Sequence, residues 1–415
     1  MRFRRNQPAK KPLPEPLELD ILRFSHDGRG IAEKDGRIVM VAGALPGERV
    51  TARIDKANTK LWQGHAMTVH QPSEARTEPH CAHFRQCGGC QLQHMTLASQ
   101  HEIKRTAVMD HFRRNGIELP EAPAMIESPP FAYRHRARLH VSGKGQIGFH
   151  NAQGNQVVPV QQCPVFTEQL AAAYEQLRTA APLKGLTQLE LVVDDSCKMG
   201  AVAVKGKPEA LERFHRWVEQ QGWVWNQPLS YAAGEKTVTA YPGDFTQVNR
   251  AANLKMLETG AQWLNLNTGD RLLDLFCGSG NVAYFLSHRV GSLVGLEASE
   301  AAIRQAKAVQ NGDAHCQFEV ADLFQVDVSG MTLVRDLNPN VVVLDPPRAG
   351  AENICRHISK LTGLDKILYI SCDPATLARD INLLQQADWC LSKLALVDMF
   401  PQTKHVETIA LLEKK

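Results

Sequence analysis

Short runs in which apolar and polar residues alternate, rich in Val and Ile, fill the first seventy positions: Leu17 to Phe24, Arg37 to Ala42, Glu48 to Asp55 and Gly64 to Val69. Asp27-Gly28, Asp35-Gly36 and Pro46-Gly47 punctuate them. A period of two broken by turn residues predicts strands, and several strands this close together predict a small β-barrel over residues 17–70. A basic amphipathic helix is expected from Leu97 to Asn115. Residues 71–243 then read as a central β-rich domain, with a basic strand from Tyr133 to Arg138 and a hairpin-like pair around Leu189 to Val193 and Gly200 to Val204. From Asp244 the texture changes to alternating strands and helices. Strands are expected at Arg271 to Phe276, Ser292 to Glu297, Gln317 to Val320, Val341 to Leu344 and Lys366 to Ser371, with helices between them. This α/β pattern predicts a doubly wound, Rossmann-like parallel sheet over residues 244–415. Leu394 to Val397 and His405 to Leu412 would add an antiparallel pair at its edge.

Composition narrows the class. Of 415 residues, 43% are hydrophobic and 22% charged, proportions that exclude a mostly disordered chain. No apolar run approaches a membrane span, and the start is basic rather than apolar, so a cytoplasmic protein is expected. Ten cysteines are too sparse for a disulfide scaffold, and a tight cluster among them points to metal or catalysis. Residues 1–150 hold 23 Lys and Arg against 15 Asp and Glu, whereas the remainder holds 24 against 29. The excess positive charge includes an arm over residues 1–16 with Arg2, Arg4, Arg5, Lys10 and Lys11, and it suits a front section that meets a polyanion.

The rear sheet carries a ligand site. Asp274-Leu275-Phe276-Cys277-Gly278-Ser279-Gly280-Asn281 ends its first strand, where glycines let the backbone turn sharply and approach a ligand. Gly278, Gly280 and Ala283 also satisfy a dinucleotide fingerprint, so NAD competes. The acids after the later strands favour a methyl donor. Glu297 closes the second strand, where it could accept ribose hydroxyls, Asp322 comes after the third, and Asp345-Pro346-Pro347-Arg348 after the fourth. Acids at successive strand ends suit S-adenosyl-L-methionine, a cation without phosphate.

The fifth strand ends in Cys372-Asp373-Pro374, which exposes a thiol to the same cleft, whereas Cys277, Cys316, Cys355 and Cys390 stand where small buried residues would serve. Cys372 is therefore the expected nucleophile. C5 of a pyrimidine is too weak a nucleophile to take a methyl group unaided, and thiolate addition at C6 creates the enolate that makes it reactive. The C5 proton must then leave, so a general base is required. Glu407 is the first candidate and Asp398 the second.

Phe276-Cys277-Gly278-Ser279-Gly280-Asn281, Leu344-Asp345-Pro346-Pro347-Arg348-Ala349-Gly350, Ser371-Cys372-Asp373-Pro374 and His405-Val406-Glu407-Thr408 resemble, in order and spacing, the motifs of the RNA uracil-C5 methyltransferases. The resemblance implies Cys372 as nucleophile, Glu407 as base, and S-adenosyl-L-methionine contacts at Gln247, Phe276, Asn281, Glu297, Asp322 and Asp345. The related cytosine enzymes place their nucleophile in the fourth-strand motif, where this chain has no cysteine.

Cys81, Cys87 and Cys90, with the later Cys163, offer four thiolates, which suit an iron–sulfur cluster or, with His80, His83 and His94, zinc. The resemblance favours a [4Fe-4S] cluster, because the branch of the family acting on large-subunit ribosomal RNA carries this spacing. A radical enzyme would leave three residues, not five, between the first two cysteines. The front barrel resembles a TRAM domain, an RNA-binding module. The implied function is methylation at C5 of one uridine in 23S ribosomal RNA, by a monomer with no obligate protein partner and no membrane attachment. The segments Arg2 to Lys11, Lys104 to Arg114 and Arg134 to Arg138 would neutralise phosphates, and Phe131, Phe149 or Phe245 could stack on an extruded base. An RNA-binding assembly factor without turnover, or an enzyme acting on another RNA such as tRNA, are the alternatives.

Overall fold

The computed structural model describes residues 13–25, 27–119, 121–310 and 313–414. Residues 1–12 of the expected basic arm lie outside them.

The front domain is a six-stranded sheet. Leu17–Asp20 pairs with Arg49–Ala57 at one edge, and its continuation Arg23–Phe24 pairs with Gly30–Lys34 at the other, so one bent segment closes the sheet into a barrel. The bend is held by Ile21 N donating to Glu48 O and Leu22 N donating to Ile31 O. Leu19, Ile21, Ala32, Val39, Val41, Val50, Ala52 and Ile54 fill the interior. Gly30–Lys34 was not among the expected strands: Gly30 opens it and two charged residues close it, which masks its three buried positions.

The central domain is a five-stranded sheet flanked by two helices, Glu168–Ala180 and Pro208–Gln220, where only strands were expected. Leu170, Ala173, Tyr174 and Leu177 from the first and Ala210, Phe214 and Val218 from the second, at helical spacing, face one core with Leu139, Leu189 and Leu191. The signal was present in the sequence but was overshadowed by the Val-rich strands on either side.

The rear domain is an eight-stranded sheet whose first five strands in space are parallel, with Arg271–Leu275 in the middle. Glu407–Lys414 inserts antiparallel between Lys366–Ser371 and Trp389–Val397. The outermost strand comes from far upstream: Ala124–Ile126 pairs parallel with Ala395–Val397. The helix Leu97–Arg114 lies on the same domain, sending Val108 and Phe112 into the core that contains Leu377, Ile381 and Leu384. A hairpin, Leu229–Ala233 with Lys236–Ala240, adds Ala233 and Val238 to the core on the sheet's other face. No described helix is long and apolar enough to cross a membrane.

Candidate active site and cysteine pocket

Parallel strands end at one edge of the sheet, and their loops meet there. The turn after Arg271–Leu275 needs unusual backbone: Phe276 has φ 65°, Gly278 55° and Gly280 97°. A Cβ on Gly280 would lie 2.5 Å from the Tyr284 ring, so this glycine is required by space as well as by φ. Glu297, at the end of the next strand, holds the turn, since its Oε2 accepts from Gly278 N (3.3 Å) and its Oε1 from Ser299 N (2.8 Å). Asn281 forms a reciprocal amide pair with Asn253 (3.1 and 3.2 Å) on the helix Arg250–Leu264. That pair fastens the segment bearing Gln247 to the glycine turn. Asn253 was not singled out in the sequence, although it lies one helical turn beyond the capping Asn249. Asp322 is exposed, accepting from Phe324 N (3.1 Å) and Gln325 Nε2 (2.7 Å), and the Phe324 ring sits 5.7 Å from that of Phe276.

Cys372 comes directly after Ser371 at the end of its strand, and Ser371 lies opposite Thr408, so Glu407 begins the neighbouring strand beside the thiol. Burial, then Glu407 and Asp345, push the Cys372 thiol up to about 11, with Arg348 acting in the opposite direction. Glu407 is buried and pushed up to about 8 by burial and Asp345, again opposed by Arg348. Burial pushes Asp345 up to about 7. Asp274, fully buried beneath the glycine turn, is raised well above the carboxylate range by burial, Asp345 and Glu297. The cleft thus gathers acids that repel one another, and a cationic ligand would relieve that repulsion.

Asp398, the second candidate base, does not face this cleft. It is fully buried on salt bridges with Lys104 (2.5 Å) and His101 (3.0 Å), and these partners hold its carboxyl below its ordinary value against the effect of burial. The same pair corrects the reading of Lys104 as a phosphate contact, because its ammonium is fully buried. Arg136 is likewise buried, forked onto Glu190, while Arg138 stays half exposed. Phe245 is 75% exposed, with the Arg136 guanidinium 5.8 Å from its ring centre; Phe131 and Phe149 are partly buried against the central core.

Cys81, Cys87, Cys90 and Cys163 line one cavity of ≈ 180 Å³ together with Tyr133, Arg134 and Thr403. Burial raises Cys87, lifts Cys90 to about 11 and lifts Cys163 to about 12, and neighbouring thiols add to each. Four thiols around one void offer the donor set of a metal centre, which takes them as thiolates. Zinc would draw four sulfurs to roughly 3.8 Å from one another. Among the described residues the only compact metal-like group is Asp313, His315 and Cys316, elsewhere in the fold. The histidines also stand apart: His83 Nε2 accepts from Gln161 N (3.1 Å), His80 packs on Phe131, and His94 is buried with neither nitrogen hydrogen-bonded. Four cysteines lining one cavity are the all-thiolate donor set that an iron–sulfur cluster takes.

Residues 218–415 match the tRNA (Uracil-5-)-methyltransferase family and residues 15–67 the TRAM domain. The chain is 35% identical to the 23S rRNA (uracil(1939)-C(5))-methyltransferase RlmD of Methylococcus capsulatus, covering 98% of this chain and 99% of that one. It is 34% identical to the protein of the same name from Nitrosococcus oceani, covering 99% of each. The crystal structure of the Pyrococcus abyssi tRNA (uracil-54, C5)-methyltransferase in complex with S-adenosyl-L-homocysteine superposes with a TM-score of 0.72, at 24% identity over 95% of this chain and 99% of that one. This last likeness concerns the fold.

Proposed function

The chain belongs to the RlmD family of 23S rRNA (uracil-C5)-methyltransferases, and from that premise we propose that it methylates C5 of one uridine of 23S ribosomal RNA, with Cys372 as nucleophile and Glu407 as base. The observation that carries the assignment of roles is the pairing of a half-buried thiol with a buried carboxyl on adjacent strands. The Cys372 thiolate adds to C6 of the flipped base, and the electron pair moves onto the C5–C4–O4 enolate. S-adenosyl-L-methionine supplies the methyl group that C5 takes, leaving S-adenosylhomocysteine. Glu407 then removes the C5 proton, the C5–C6 double bond re-forms, and the C6–S bond breaks to return the thiolate. A carboxylate raised to about 8 is better matched to a carbon acid than an ordinary one.

Asp345 and Glu297 would stand beside the donor's sulfonium and ribose, and Phe276 and Phe324 beside its adenine, with Gln247, Asn281 and Asp322 completing the contacts. The cluster of Asp274, Glu297, Asp345 and Glu407 in the cleft supports a cationic donor over NAD. Cys81, Cys87, Cys90 and Cys163 would hold a [4Fe-4S] cluster, which supplies a rigid cross-link between the loop at 81–90 and the turn at 163. The barrel, with Arg37 over Trp62 at 5.1 Å, would meet the RNA, and the protein would act in the cytoplasm.

The test is incubation with S-adenosylmethionine and ribosomal RNA fragments containing 5-fluorouridine, read on a denaturing gel. Fluorine does not leave as a proton does, so a donor-dependent protein–RNA band is expected, and it should vanish in Cys372→Ala. A band that persists in that variant, or that forms without the donor, overturns the mechanism. Binding without any band, on fragments and on immature ribosomal particles alike, would favour an assembly factor.

A further inference from the structure

Five consecutive backbone carbonyls, Asp398 to Gln402, each accept a hydrogen bond from a different part of the chain. Ser128 Oγ donates to Asp398 O (2.7 Å), Asn249 Nδ2 to Met399 O (3.2 Å), Lys104 Nζ to Phe400 O (3.1 Å) and Tyr133 OH to Pro401 O (3.0 Å). Gln402 O takes both Gln91 N and Leu92 N, at 3.0 Å each. This connection leads from the strand Trp389–Val397 to Glu407, whose register partner is Val397. Irregular backbone buried in this way must find donors, and here the donors are side chains and amides brought from 150 to more than 300 positions upstream.

Lys104 is the one charged donor in the set. Its ammonium, fully buried, also bonds Asp398 Oδ1 at 2.5 Å. From Phe400 O the bonding continues toward the base: Thr403 Oγ1 donates to the same carbonyl (2.9 Å), and His405 N donates to Thr403 Oγ1 (3.3 Å). His405 is two residues from Glu407. We infer that Lys104 is a positioning residue for the general base, fixing the 398–406 connection so that Glu407 reaches the C5 proton. The inference rests on Glu407 being that base. It assigns Lys104 to the proton-removal step rather than to RNA contact or to donor binding.

The step affected has its own signature. If Glu407 is displaced, thiolate addition and methyl transfer still occur, but the C5 proton stays and the C6–S bond does not break. The covalent adduct should then accumulate on RNA with ordinary uridine. The experiment compares Lys104→Met, the double variant Lys104→Met/Asp398→Asn and Glu407→Gln, on unsubstituted 23S fragments with S-adenosylmethionine. The double variant keeps the test open where a buried Asp398 carboxylate left with His101 alone unfolds the single variant. Since a general base contributes about 10²- to 10⁴-fold, misplacing it should lower kcat about tenfold or more, with KM for RNA little changed. Adduct on ordinary uridine should rise in the folded Lys104 variant as it does in Glu407→Gln. Wild-type turnover in a folded Lys104 variant overturns the inference, as does parallel loss of adduct and turnover. If Glu407→Gln itself builds no adduct, the assignment of the base fails first, and the role of Lys104 falls with it.

Discussion

Arg136 forks onto Glu190, Nε to Oε1 at 2.7 Å and Nη2 to Oε2 at 2.9 Å, on neighbouring strands of the central sheet. The pair reaches the rear domain. Glu190 Oε1 also accepts from Gly243 N (3.2 Å), and Arg136 Nη1 donates to Thr246 O (3.4 Å), so one buried ion pair grips both ends of the stretch that presents Phe245. Glu190→Ala would leave a buried guanidinium unpaired and should cost about 3–5 kcal/mol. Chemical denaturation measures that loss. Loosening of the 243–247 stretch should appear beside it as a raised KM for S-adenosylmethionine, and an unchanged KM would separate the clamp from the ligand site.

Glu407 gives the enzyme a pH-dependent stability of defined sign. Its carboxyl is raised from an ordinary value near 4.5 to about 8 in the fold, so the folded state holds its proton more tightly than the unfolded chain. Stability from this group is complete below pH 4.5 and is lost as pH rises through about 8. Glu407→Gln removes the effect. The variant should be the more stable of the two, by an amount growing between pH 5 and 8 to on the order of a few kcal/mol and constant above. Denaturant midpoints at pH 5, 7 and 9 test this, and a gap that shrinks as pH rises contradicts the placement of the carboxyl.

Removal of one of the proposed cluster ligands should be visible before it is measured kinetically. Cys163→Ser, in protein purified without oxygen, is expected to lose most of its iron and the brown absorption that accompanies it. Metal content and the visible spectrum report this directly. Wild-type protein that is colourless and carries about one zinc per chain would replace the iron–sulfur reading with a zinc site.

Phe276 occupies the left-handed region at φ 65°, a strained conformation for a bulky residue that persists where the surroundings impose it. Phe276→Gly should relieve backbone strain of order 1 kcal/mol while removing the ring beside Phe324. Calorimetry with S-adenosylhomocysteine is expected to show affinity falling about tenfold, the loss of one stacking contact, and melting temperature falling as well, because the ring also packs against the core and that lost burial outweighs the strain relieved.

Much of the site is legible in sequence because parallel strands deliver their carboxyl ends to one edge, so the residues after each strand become neighbours whatever lies between. Glycine turn, Glu297, Asp345 and Cys372 are found by that rule alone. Burial of charge is not. Lys104 and Arg136 look like the solvated cations around them, and only the fold reveals that their partners, Asp398 and Glu190, lie 294 and 54 positions away. Asp398 competes with Glu407 on paper for the same reason: both flank the final turn, and only the fold shows that Asp398 is buried on Lys104 and His101 while Glu407 lies beside Cys372. The helices Glu168–Ala180 and Pro208–Gln220 were hidden differently, by strong β-formers on either side of short amphipathic segments.

The edge strand Ala124–Ile126 imposes an order on how the protein is made. Its partner, Ala395–Val397, leaves the ribosome some 270 residues later. At about 5–20 residues per second, the interval is on the order of tens of seconds. Throughout it the helix Leu97–Arg114 has its apolar face uncovered and Lys104 has no Asp398 to meet. The barrel, whose strands all lie within the first 71 residues, is free to close at once. The nascent chain is therefore an RNA-binding module trailing an unfinished enzyme, and the methyltransferase sheet gains its edge strand only after Ala395–Val397 has followed it out.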